Sequence, residues 1–448
     1  MLLIVTCRTQ APLIKESEQI DSLEYSGPEI IFNDDLYNKR WFENQFFLFE
    51  RDFESSMISP NLVPVLTLEK NKILDILNNM SLKEKIGQLF ILDLKNREMD
   101  FYYTEMNADL KNYIEDFKPG GVIFFSDNIY SNKQVKKFIA DLQSILTLPL
   151  FVAVDQEGGR ISRLNSSSEM DVLEIPSHGV LGTLNDREIT WEIGKIIGEE
   201  LNNLGFNMNL APVADINSNY MNPVLGDRSF SERTEIVSSM VRPFVQGLQE
   251  SGVCSVIKHF PGHGDTSTDP HSGEVSIYLS LPELRSRELI PFVAGITQGA
   301  VGVMTAHIKT PGIDATNDLP ATLSPFFINN ILRDELGFDG LVISDSFSMA
   351  AIKDYWFPEE SSVAFLTSGG DIILRPSDIK AARDGLLKSL SNGILTEDRI
   401  NKSVFRILAA KYRFGFFTDY QPTQRFNLEE GQLFLAEIMR KYKNQNLK

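Results

Sequence analysis

Apolar segments of strand length alternate with amphipathic segments of helical period along most of the chain. From about residue 66 onward, short apolar runs are separated by longer stretches in which apolar side chains recur every three to four residues. This βαβα alternation is typical of a parallel sheet covered by helices. The predicted strands are residues 88–94, 121–125, 150–155, 206–215, 253–260, 301–308, 340–345 and 371–375. Eight units of this kind favour a closed (β/α)8-type barrel, the TIM-barrel architecture.

Local sequence also indicates where the predicted helices begin and end. Helix starts are predicted by two capping boxes and by one serine before a proline, namely Ser81 with Glu84, Ser280 with Glu283, and Ser324 with Pro325. Glycines end several helical patterns just before a strand, namely Gly205, Gly252, Gly299 and Gly337. The last long helical pattern, residues 397–412, ends at Gly415.

The alternation divides the chain into three parts. Residues 1–65 lack it but contain Trp41 and several phenylalanines, so we expect this N-terminal extension to pack partly on the barrel. Residues 66–417 form the single predicted barrel domain. Residues 418–448 form a short C-terminal tail with one amphipathic stretch, residues 428–439, and are too few for a second domain.

Composition narrows the classes of protein that remain. The chain has 448 residues, of which 42% are hydrophobic and 10% aromatic, and its formal net charge is −18. This charge repels nucleic-acid phosphates and no basic patch compensates for it, so we expect no nucleic-acid partner. No apolar run approaches the ~20 residues that cross a bilayer, which argues against a membrane-spanning protein.

The two cysteines predict neither a disulfide framework nor a zinc site. Cys254 lies in a predicted strand and is expected in the core. Cys7 follows the apolar residues 2–6 with no charged region before them, so the chain as it stands has no complete signal peptide. Two localisations remain open, namely cytoplasmic with a frayed terminus, or an envelope lipoprotein anchored through Cys7 if the true start lies upstream of Met1.

Several predicted strands end at a polar residue. In a barrel of this kind, the active site lies at the carboxyl ends of the strands. The residues found there are Asp155, Asp215, Lys258, His259, His307 and Asp345. Each of them alone could be a solvated or structural residue, but together they converge on one rim of the barrel.

Three of the five histidines fall in one short segment, residues 258–271, with the sequence KHFPGHGDTSTDPH. Clustering of a scarce titratable residue suggests a functional loop. Zinc binding is one alternative, although the spacing matches no familiar zinc motif and a loop rich in Gly, Pro and Thr is a poor scaffold for ligands. A loop that is held together by polar side chains and has no chemical role is the other alternative.

With these motifs the chain resembles glycoside hydrolase family three, in particular its β-N-acetylglucosaminidases, over roughly residues 67–417. The family's K-H-F-P-G-H-G segment followed by D-x-H matches residues 258–271, and its D-Q-E-G-G-R block matches residues 155–160. Its N-P-V-x-G-x-R-S-F block matches residues 222–230. Its nucleophile motif, an aspartate after an apolar strand and shortly before Met, matches residues 343–349.

The resemblance implies a role for each matched residue. Asp345 is implied as the nucleophile, and His271, oriented by Asp269, as the acid/base. The implied sugar contacts are Asp155, Arg163, Arg228, Lys258 and His259. The resemblance also implies that the barrel is a family-three catalytic domain that cleaves β-linked N-acetylhexosaminides and releases terminal N-acetylglucosamine.

Two positions depart from the family pattern. Ser346 stands where many relatives have a second acidic residue, and Pro270 stands where they have a serine between the two dyad residues. Neither change removes a reacting group, although Pro270 restricts how far the loop can swing. Two-domain members take a glutamate acid from a following α/β domain, for which this chain has no room, and this favours the hexosaminidase interpretation.

The residue types suit a retaining glycosidase, which needs a carboxylate on one face of the anomeric carbon and a proton donor near the leaving oxygen. An unperturbed imidazole already titrates near neutral pH, so His271 needs no large pKa shift for this task. Both steps use side chains and water, so no cofactor and no metal is implied. Because an imidazole does not repel phosphate as a carboxylate would, phosphorolysis remains open beside hydrolysis.

Two other functions remain as alternatives. One is a single-domain β-glucosidase or β-xylosidase of the same family, and the other is a catalytically inactive barrel that binds sugars. The resemblance suggests a peptidoglycan-derived muropeptide or its disaccharide as substrate, but the leaving-group side of such sites is built from variable loops. We expect a monomer whose partner is this small carbohydrate, with membrane contact only through a lipidated Cys7.

Overall fold

Eight parallel strands close into a barrel in the computed structural model, which describes residues 62–266, 273–313, 319–417 and 426–446. The strands are β1 (Phe90–Asp93), β2 (Gly121–Phe124), β3 (Phe151–Val154), β4 (Met208–Asn209), β5 (Cys254–Phe260), β6 (Gly302–Thr305), β7 (Leu341–Ser344) and β8 (Ile373–Leu374). Consecutive strands are neighbours from β1 to β7, and β8 pairs with β1. A bridge between Ile343 and Ile372 joins β7 to β8 and closes the ring. The predicted (β/α)8-type barrel is confirmed.

Helices surround this barrel and connect its strands. They are α1 (Leu62–Asn79), α2 (Leu82–Gln88), α3 (Ala108–Phe117), α4 (Asn132–Gln143), α5 (His178–Leu184), α6 (Arg187–Leu204), α7 (Thr234–Glu250), α8 (Leu281–Glu283), α9 (Leu289–Thr297), α10 (Ala350–Lys353), α11 (Pro358–Thr367), α12 (Ile379–Ser391), α13 (Glu397–Arg413) and α14 (Leu428–Asn446). A π-helical turn, Leu284–Glu288, joins α8 to α9, and a second π-helical segment, Phe326–Glu335, lies between β6 and β7. Within the described ranges, no helix is long and apolar enough to cross a membrane.

Short strand pairs and single helical turns lie in the loops that follow the barrel strands. The strand pairs are Lys95–Asn96 with Phe101–Tyr102, Gln156–Gly158 with Ile161–Ser162, and Val275–Ser276 with Ile308–Lys309. The single turns are Ser126–Asn128, Arg163–Ser166, Gly226–Arg228 and Ala321–Leu323. These elements give the loops at the carboxyl end of the barrel a defined backbone, which positions side chains around the barrel mouth.

The predicted helix boundaries are confirmed where local chemistry decides them. Both capping boxes form, with the serine hydroxyl accepting from the third helical N–H and the glutamate accepting from the serine N–H. Ser324 Oγ accepts from Phe327 N at 3.4 Å at the start of the helix after β6. The four glycines predicted to end helices have φ between 65° and 100°. This left-handed conformation is one that glycine adopts without a steric penalty, so glycine suits the position after a helix.

Two predicted strands are shorter in the structure than in the sequence pattern. Of residues 206–215, only Met208–Asn209 lie in the barrel ladder, and Val213 pairs again with Lys258 after Pro212, which has no N–H to donate. Of residues 301–308, β6 keeps Gly302–Thr305, and Ile308 pairs with Val275 in a separate strand pair. In both places the chain leaves the barrel early, at its carboxyl end, and builds a loop at the mouth.

The amino-terminal end of the barrel is closed by α13. Lys411 Nζ donates to Gln88 Oε1 at 2.7 Å and lies 5.1 Å from the centroid of the Phe151 ring. Burial lowers the pKa of Lys411 to about 7. Cys254 is buried at the start of β5, which confirms its predicted place in the core. The charged side chains Asp155, Lys258 and Asp345 lie at the opposite, carboxyl end of the barrel.

The segments beside the barrel pack against it where they are described. Ile73 and Leu77 of α1 and Leu435 and Ile438 of α14 are buried in the common core. The division into an extension, a barrel and a tail at residues 65 and 417 stays a prediction. Trp41 and Cys7, on which the expectations for the extension and for a lipid anchor depend, lie outside the described residues.

Candidate active site

The polar residues predicted at the strand ends lie together at the carboxyl end of the barrel. Asp155 follows β3, Lys258 and His259 lie near the end of β5, and Asp345 follows β7. Arg228 enters the same mouth from the loop after β4. Because the barrel strands are parallel, their carboxyl ends and the loops that follow them share one face. These residues therefore form one candidate site.

A buried group of two cations and two carboxylates lines the β3–β5 side of the mouth. This Lys258 cluster consists of Lys258, Arg228, Asp155 and Glu157. Lys258 Nζ lies 2.7 Å from Asp155 Oδ1 and 2.7 Å from Glu157 Oε1. Arg228 donates twice to Glu157, with Nε–Oε2 and Nη2–Oε1 distances of 2.9 and 2.8 Å. The side chains of Lys258 and Glu157 are only 2% and 1% exposed. Each buried charge has a partner of opposite sign, which fixes the orientation of all four side chains.

The charges in this cluster keep one another ionised. Burial would raise the pKa of Glu157, but Lys258 and Arg228 outweigh it and hold this pKa well below its ordinary value. Burial would lower the pKa of Lys258, and the carboxylates of Asp155 and Glu157 raise it instead. Burial also opposes the charge on Arg228, but Glu157 raises its pKa overall. The cluster therefore presents fixed charges and hydrogen-bonding groups at neutral pH.

Two further arginines from the loop after β3 border the cluster. Arg163 Nη2 lies 3.8 Å from Asp155 Oδ2, and its buried Nε has no hydrogen-bond partner among the described residues. Arg160 donates to the carbonyl oxygen of Leu225 at 2.9 Å and pairs with Asp227 at 3.2 Å. Arg160 therefore holds the loop that carries Arg228, while Arg163 retains a buried donor without a partner among the described residues.

Asp215, in the loop after β4, fixes the position of His259 through hydrogen bonds. Its Oδ1 accepts from the backbone N–H groups of His259 and His263 at 3.1 and 2.8 Å, and its Oδ2 lies 2.6 Å from His259 Nδ1. Burial would raise the pKa of Asp215, but His259 and His263 lower it overall. An ionised carboxylate can only accept hydrogen bonds, so the proton of His259 that lies between the two residues is assigned to Nδ1. The other ring nitrogen, Nε2, is left to interact with a ligand.

Asp345 faces the same site from β7. Its Oδ1 accepts from Ser346 N at 2.6 Å, and its own N–H donates to Thr305 O at 3.0 Å. Burial would raise the pKa of Asp345, but His307, His259, the Ser346 N–H and Lys258 hold it below its ordinary value. The carboxylate is therefore ionised at neutral pH, and its electrostatic contact with His259 and Lys258 joins it to the cluster on β3–β5.

His307 is fixed beside this carboxylate. Its Nδ1 lies 3.1 Å from Thr322 Oγ1, and its Nε2 lies 3.1 Å from the carbonyl oxygen of Ser346. The ring is only 3% exposed. These contacts hold the imidazole at the end of β6 and give Asp345 a neighbour that favours its charged form.

His178, on α5, contacts the backbone carbonyl oxygen of Arg228. Its Nδ1 lies 2.8 Å from the carbonyl oxygen of Arg228, and its ring stacks on Phe230 at a centroid distance of 4.2 Å. Burial lowers the pKa of His178 to about 4, so the imidazole is neutral at pH 7. A neutral ring that donates from Nδ1 leaves Nε2 as a bare acceptor, and Nε2 indeed has no partner in the part of the chain that is described. His178 is therefore a positioning residue for the backbone at Arg228.

Asp269 and His271, the predicted acid/base pair, lie outside the described residues. The start of their loop is fixed to the loop after β4. Asn222 Nδ2 donates to Thr266 Oγ1 at 3.1 Å. Gly264 approaches the same loop so closely that a Cβ atom there would lie 1.6 Å from a backbone carbonyl oxygen. The described start of this loop, up to Thr266, therefore packs against the loop after β4, which also carries Arg228.

Among the described residues, no group of three or more His, Cys, Asp or Glu side chains is arranged to hold a metal ion. The acidic and imidazole groups at the mouth have protein partners instead. Asp215 binds His259 at 2.6 Å, and His263 Nδ1 lies 2.9 Å from Thr266 Oγ1.

The sequence predicted some members of this site and missed others. Brought together at the mouth are the predicted residues Asp155, Arg163, Arg228, Lys258, His259 and Asp345. Glu157 was not singled out, although alternate residues after a strand share a face and it stands two positions after Asp155. Asp215 and His307 were noted only as strand-end residues. His178 had no usable signal, because its role depends on a contact with a residue distant in sequence.

Comparison with known proteins finds one matching family model and several similar sequences. The model described as "Glycosyl hydrolase family 3 N terminal domain" matches residues 81–410. Beta-hexosaminidase A of Pseudoalteromonas piscicida is 33% identical over 332 residues, which cover 69% of this chain and 56% of that protein. Beta-hexosaminidase LpqI of Mycobacterium tuberculosis is 33% identical over 344 residues, which cover 74% of this chain and 83% of that protein. This chain therefore spans little more than half of the first relative and most of the second.

Solved structures of similar shape include proteins of the same kind. A glycoside hydrolase family 3 β-N-acetylglucosaminidase from Paenibacillus superposes with a TM-score of 0.75 at 36% identity, covering 81% of this chain and 69% of that chain. The LpqI structure from M. tuberculosis gives a TM-score of 0.67 at 32% identity, covering 76% and 96%. The β-glucoside phosphorylase BglX bound to 2FGlc gives a TM-score of 0.74 at 23% identity, over 83% of this chain and 66% of that chain, and shares the fold alone.

Proposed function

The chain belongs to glycosyl hydrolase family 3, and from this membership we propose that it is a retaining exo-β-N-acetylhexosaminidase that releases terminal N-acetylglucosamine. The relatives described as β-hexosaminidases and as a β-N-acetylglucosaminidase support this substrate class. The observation that carries the proposal is the placement of the ionised Asp345 at the same mouth as the buried Lys258 cluster. A sugar bound to that cluster can present its anomeric carbon to Asp345.

The cluster has the groups that a terminal sugar requires. Sugar hydroxyls both donate and accept, so their site needs fixed acceptors beside fixed donors. Asp155 has lone pairs beyond those bound to Lys258, and Lys258 has a third ammonium proton beyond the two contacts at 2.7 Å. Arg163 Nε, a buried donor without a hydrogen-bond partner among the described residues, and His259 Nε2 add two more polar groups beside the cluster. Arg228 and Glu157 keep these groups in place.

The first step of the reaction forms a glycosyl ester. Asp345 attacks the anomeric carbon, the bond from this carbon to the leaving oxygen breaks, and His271 transfers a proton to that oxygen. Asp269 stabilises the imidazole in the orientation that donates, as an aspartate does for the histidine of a serine-protease triad. The low pKa of Asp345 suits this step because the nucleophile must be charged.

The second step releases the sugar. Water attacks the anomeric carbon, His271 takes a proton from that water, and the bond to Asp345 breaks. The carboxylate and the protonated imidazole are thereby restored, and the sugar leaves with its β configuration retained. Neither step needs a metal or a cofactor.

The natural substrate in this proposal is a peptidoglycan-derived muropeptide or its disaccharide. We further propose that the enzyme is a monomer whose partner is this small carbohydrate. Contact with a membrane depends on a lipid anchor at Cys7. Hydrolysis is the reaction proposed, and formation of sugar 1-phosphate in phosphate buffer would show phosphorolysis beside it.

The substrate class is tested with a pair of chromogenic glycosides. We expect kcat/KM for 4-nitrophenyl β-N-acetylglucosaminide to exceed that for 4-nitrophenyl β-glucoside by about 100-fold, because an enzyme of the proposed class uses the acetamido group for binding and loses those interactions with glucose. Equal or faster cleavage of the glucoside would overturn the proposal and favour the β-glucosidase alternative. Binding of N-acetylglucosamine with turnover of neither glycoside would favour the inactive sugar-binding barrel.

The positioning role of His178 gives a second prediction. In His178→Phe the ring can still stack on Phe230, but the donor to the Arg228 carbonyl is lost. We expect KM for the N-acetylglucosaminide to rise about fivefold, with a smaller change in kcat, because one neutral hydrogen bond contributes about 1 kcal/mol. Steady-state kinetics with both constants resolved is the measurement.

His178→Asn is the matched control for this effect. The asparagine side-chain amide can donate from nearly the position of the histidine Nδ1, so KM should return toward the wild-type value. A merely structural role for the ring predicts the opposite order, since asparagine loses the stacking on Phe230 and phenylalanine keeps it. An asparagine variant with the higher KM would therefore contradict the positioning role.

A further inference from the structure

A second group of charged side chains lies on the other side of the barrel mouth, at the carboxyl ends of β8, β1 and β2. Arg375 directly follows β8, and its Nε lies 2.8 Å from Asp93 Oδ2 at the end of β1. Its guanidinium carbon lies 4.8 Å from the centroid of the Phe125 ring, which follows β2. Arg97 Nη2 contacts the same carboxylate at 3.1 and 3.2 Å. Arg375, Arg97 and Asp93 are referred to below as the rim cluster.

Arg375 retains most of its hydrogen-bonding capacity. Its Nε donates to Asp93, whereas neither of its Nη atoms makes a hydrogen bond within the ranges that the structure describes. The side chain is 24% exposed. A guanidinium carries five N–H groups, so four of them remain available at the mouth. Two guanidinium groups also share the single carboxylate of Asp93, which leaves positive charge in excess within the rim cluster.

The backbone at Arg375 is held in an unusual conformation. Its φ is 49°, in the left-handed region that a residue with a side chain rarely adopts. The Arg375 N–H donates to Ile91 O at 2.8 Å, and its carbonyl oxygen accepts from Ser348 Oγ at 3.1 Å. Strain of this kind persists only where surrounding contacts impose it, and it concentrates at ligand-binding and active sites.

The rim cluster is connected to the proposed nucleophile. Leu374, just before Arg375, donates its N–H to Ser344 Oγ at 3.0 Å, and Ser344 immediately precedes Asp345. Ser348, in the loop after Asp345, also accepts from Arg97 Nη2 at 3.3 Å. Because the Lys258 cluster occupies the β3–β5 side, the part of a substrate beyond the terminal sugar can extend over β8, β1 and β2.

We propose that the rim cluster binds a carboxylate on the leaving-group side of the substrate, so that the enzyme prefers anionic N-acetylglucosaminides. This inference rests on the proposed function, because it assigns a second part of the same mouth. A guanidinium binds a carboxylate through two parallel N–H···O bonds, which the free Nη atoms of Arg375 can supply. Phe125 beneath the guanidinium restricts its rotation, so the donors are preorganised for the incoming group.

The test uses two glycosides that differ in one charge, 4-carboxyphenyl and 4-carboxamidophenyl β-N-acetylglucosaminide. We expect the ratio of kcat/KM for the carboxylate over the amide to fall about tenfold in Arg375→Gln, as for loss of one charge-assisted hydrogen-bonded contact. In Arg97→Gln the ratio should fall about threefold, since that side chain is further engaged by Ser377 O at 2.7 Å. A ratio unchanged in both variants would overturn the proposal, whatever happens to either rate alone.

Two controls keep this test decisive. Arg242→Gln removes an equal charge from the exposed side of α7, outside the mouth, and should leave the ratio unchanged. For the wild-type enzyme, the ratio should decrease between about 0.02 and 0.5 M NaCl, because an ionic contact is screened; a constant ratio contradicts the proposal even if Arg375→Gln does not fold. Cleavage of neither glycoside by the wild type would instead be a failure of the proposed function.

Discussion

Replacement of Asp345 by asparagine is expected to lower kcat for 4-nitrophenyl β-N-acetylglucosaminide by about 10⁴-fold or more, with KM changed far less. Asparagine has nearly the same size and can still accept from the Ser346 N–H, which lies 2.6 Å from Asp345 Oδ1. Its amide cannot form the glycosyl ester, so the loss is one of covalent chemistry rather than of shape. Initial rates and thermal melting of the same preparation separate the two.

Asp345→Ala with added azide tests the nucleophile more directly. Alanine leaves space beside the anomeric carbon, and azide can attack from the face that the carboxylate normally occupies. We expect an α-glycosyl azide, identified by NMR, from an activated aryl β-N-acetylglucosaminide. A β-glycosyl azide would contradict the assignment, because it would require another group to form the ester first.

Asp354→Asn is the matched control for the asparagine variant. Asp354 is an exposed aspartate downstream on the same stretch of chain, so its loss should leave kcat near the wild-type value. If Asp345→Asn kept more than about a tenth of the wild-type kcat, Asp345 would not be the nucleophile. Retention of that much activity would favour a supporting role beside His307.

The barrel was predictable because periodicity and glycine placement are local properties. Gly205 and Gly252 end helices with φ of 100° and 80°, which is the conformation expected of glycine in that position. The lengths of the strand ladders were not predictable in the same way. Residues 206–215 are largely apolar, yet only Met208–Asn209 stay in the barrel, since Pro212 and the tertiary path of the loop decide where pairing stops.

The presence of Asp345 and Lys258 at the mouth was predictable, because a charged residue at the end of an apolar strand already suggests a functional position. The role of a residue was not predictable where a contact between distant residues determines it. Arg228 and Glu157 are 71 residues apart, and Arg375 and Asp93 are 282 residues apart. No periodicity encodes such pairs, because they depend on how the loops fold back over the barrel. A family motif contains Glu157, whereas only the fold brings Arg375 to the mouth.

Replacement of His271 by alanine is expected to depend on the leaving group. For a disaccharide of N-acetylglucosamine, whose leaving alkoxide needs a proton, kcat/KM should fall by about 10²- to 10⁴-fold. For the 4-nitrophenyl glycoside, kcat/KM should fall far less, because nitrophenolate leaves without protonation. The comparison uses kcat/KM rather than kcat, since it reports formation of the glycosyl ester and excludes the later hydrolysis, in which His271 acts as base.

Three further measurements separate a role as acid from disturbance of the loop. Added imidazole should partly restore disaccharide cleavage by His271→Ala, because it can occupy the space of the lost ring and carry the proton. Asp269→Asn should show a weaker loss with the same dependence on the leaving group, since the histidine remains but loses its orienting carboxylate. Asp265→Asn, in the same loop but outside the predicted pair, should show no such dependence. Equal losses of kcat/KM for the aryl and disaccharide substrates in His271→Ala would exclude His271 as the proton donor and assign that role to another group at the mouth.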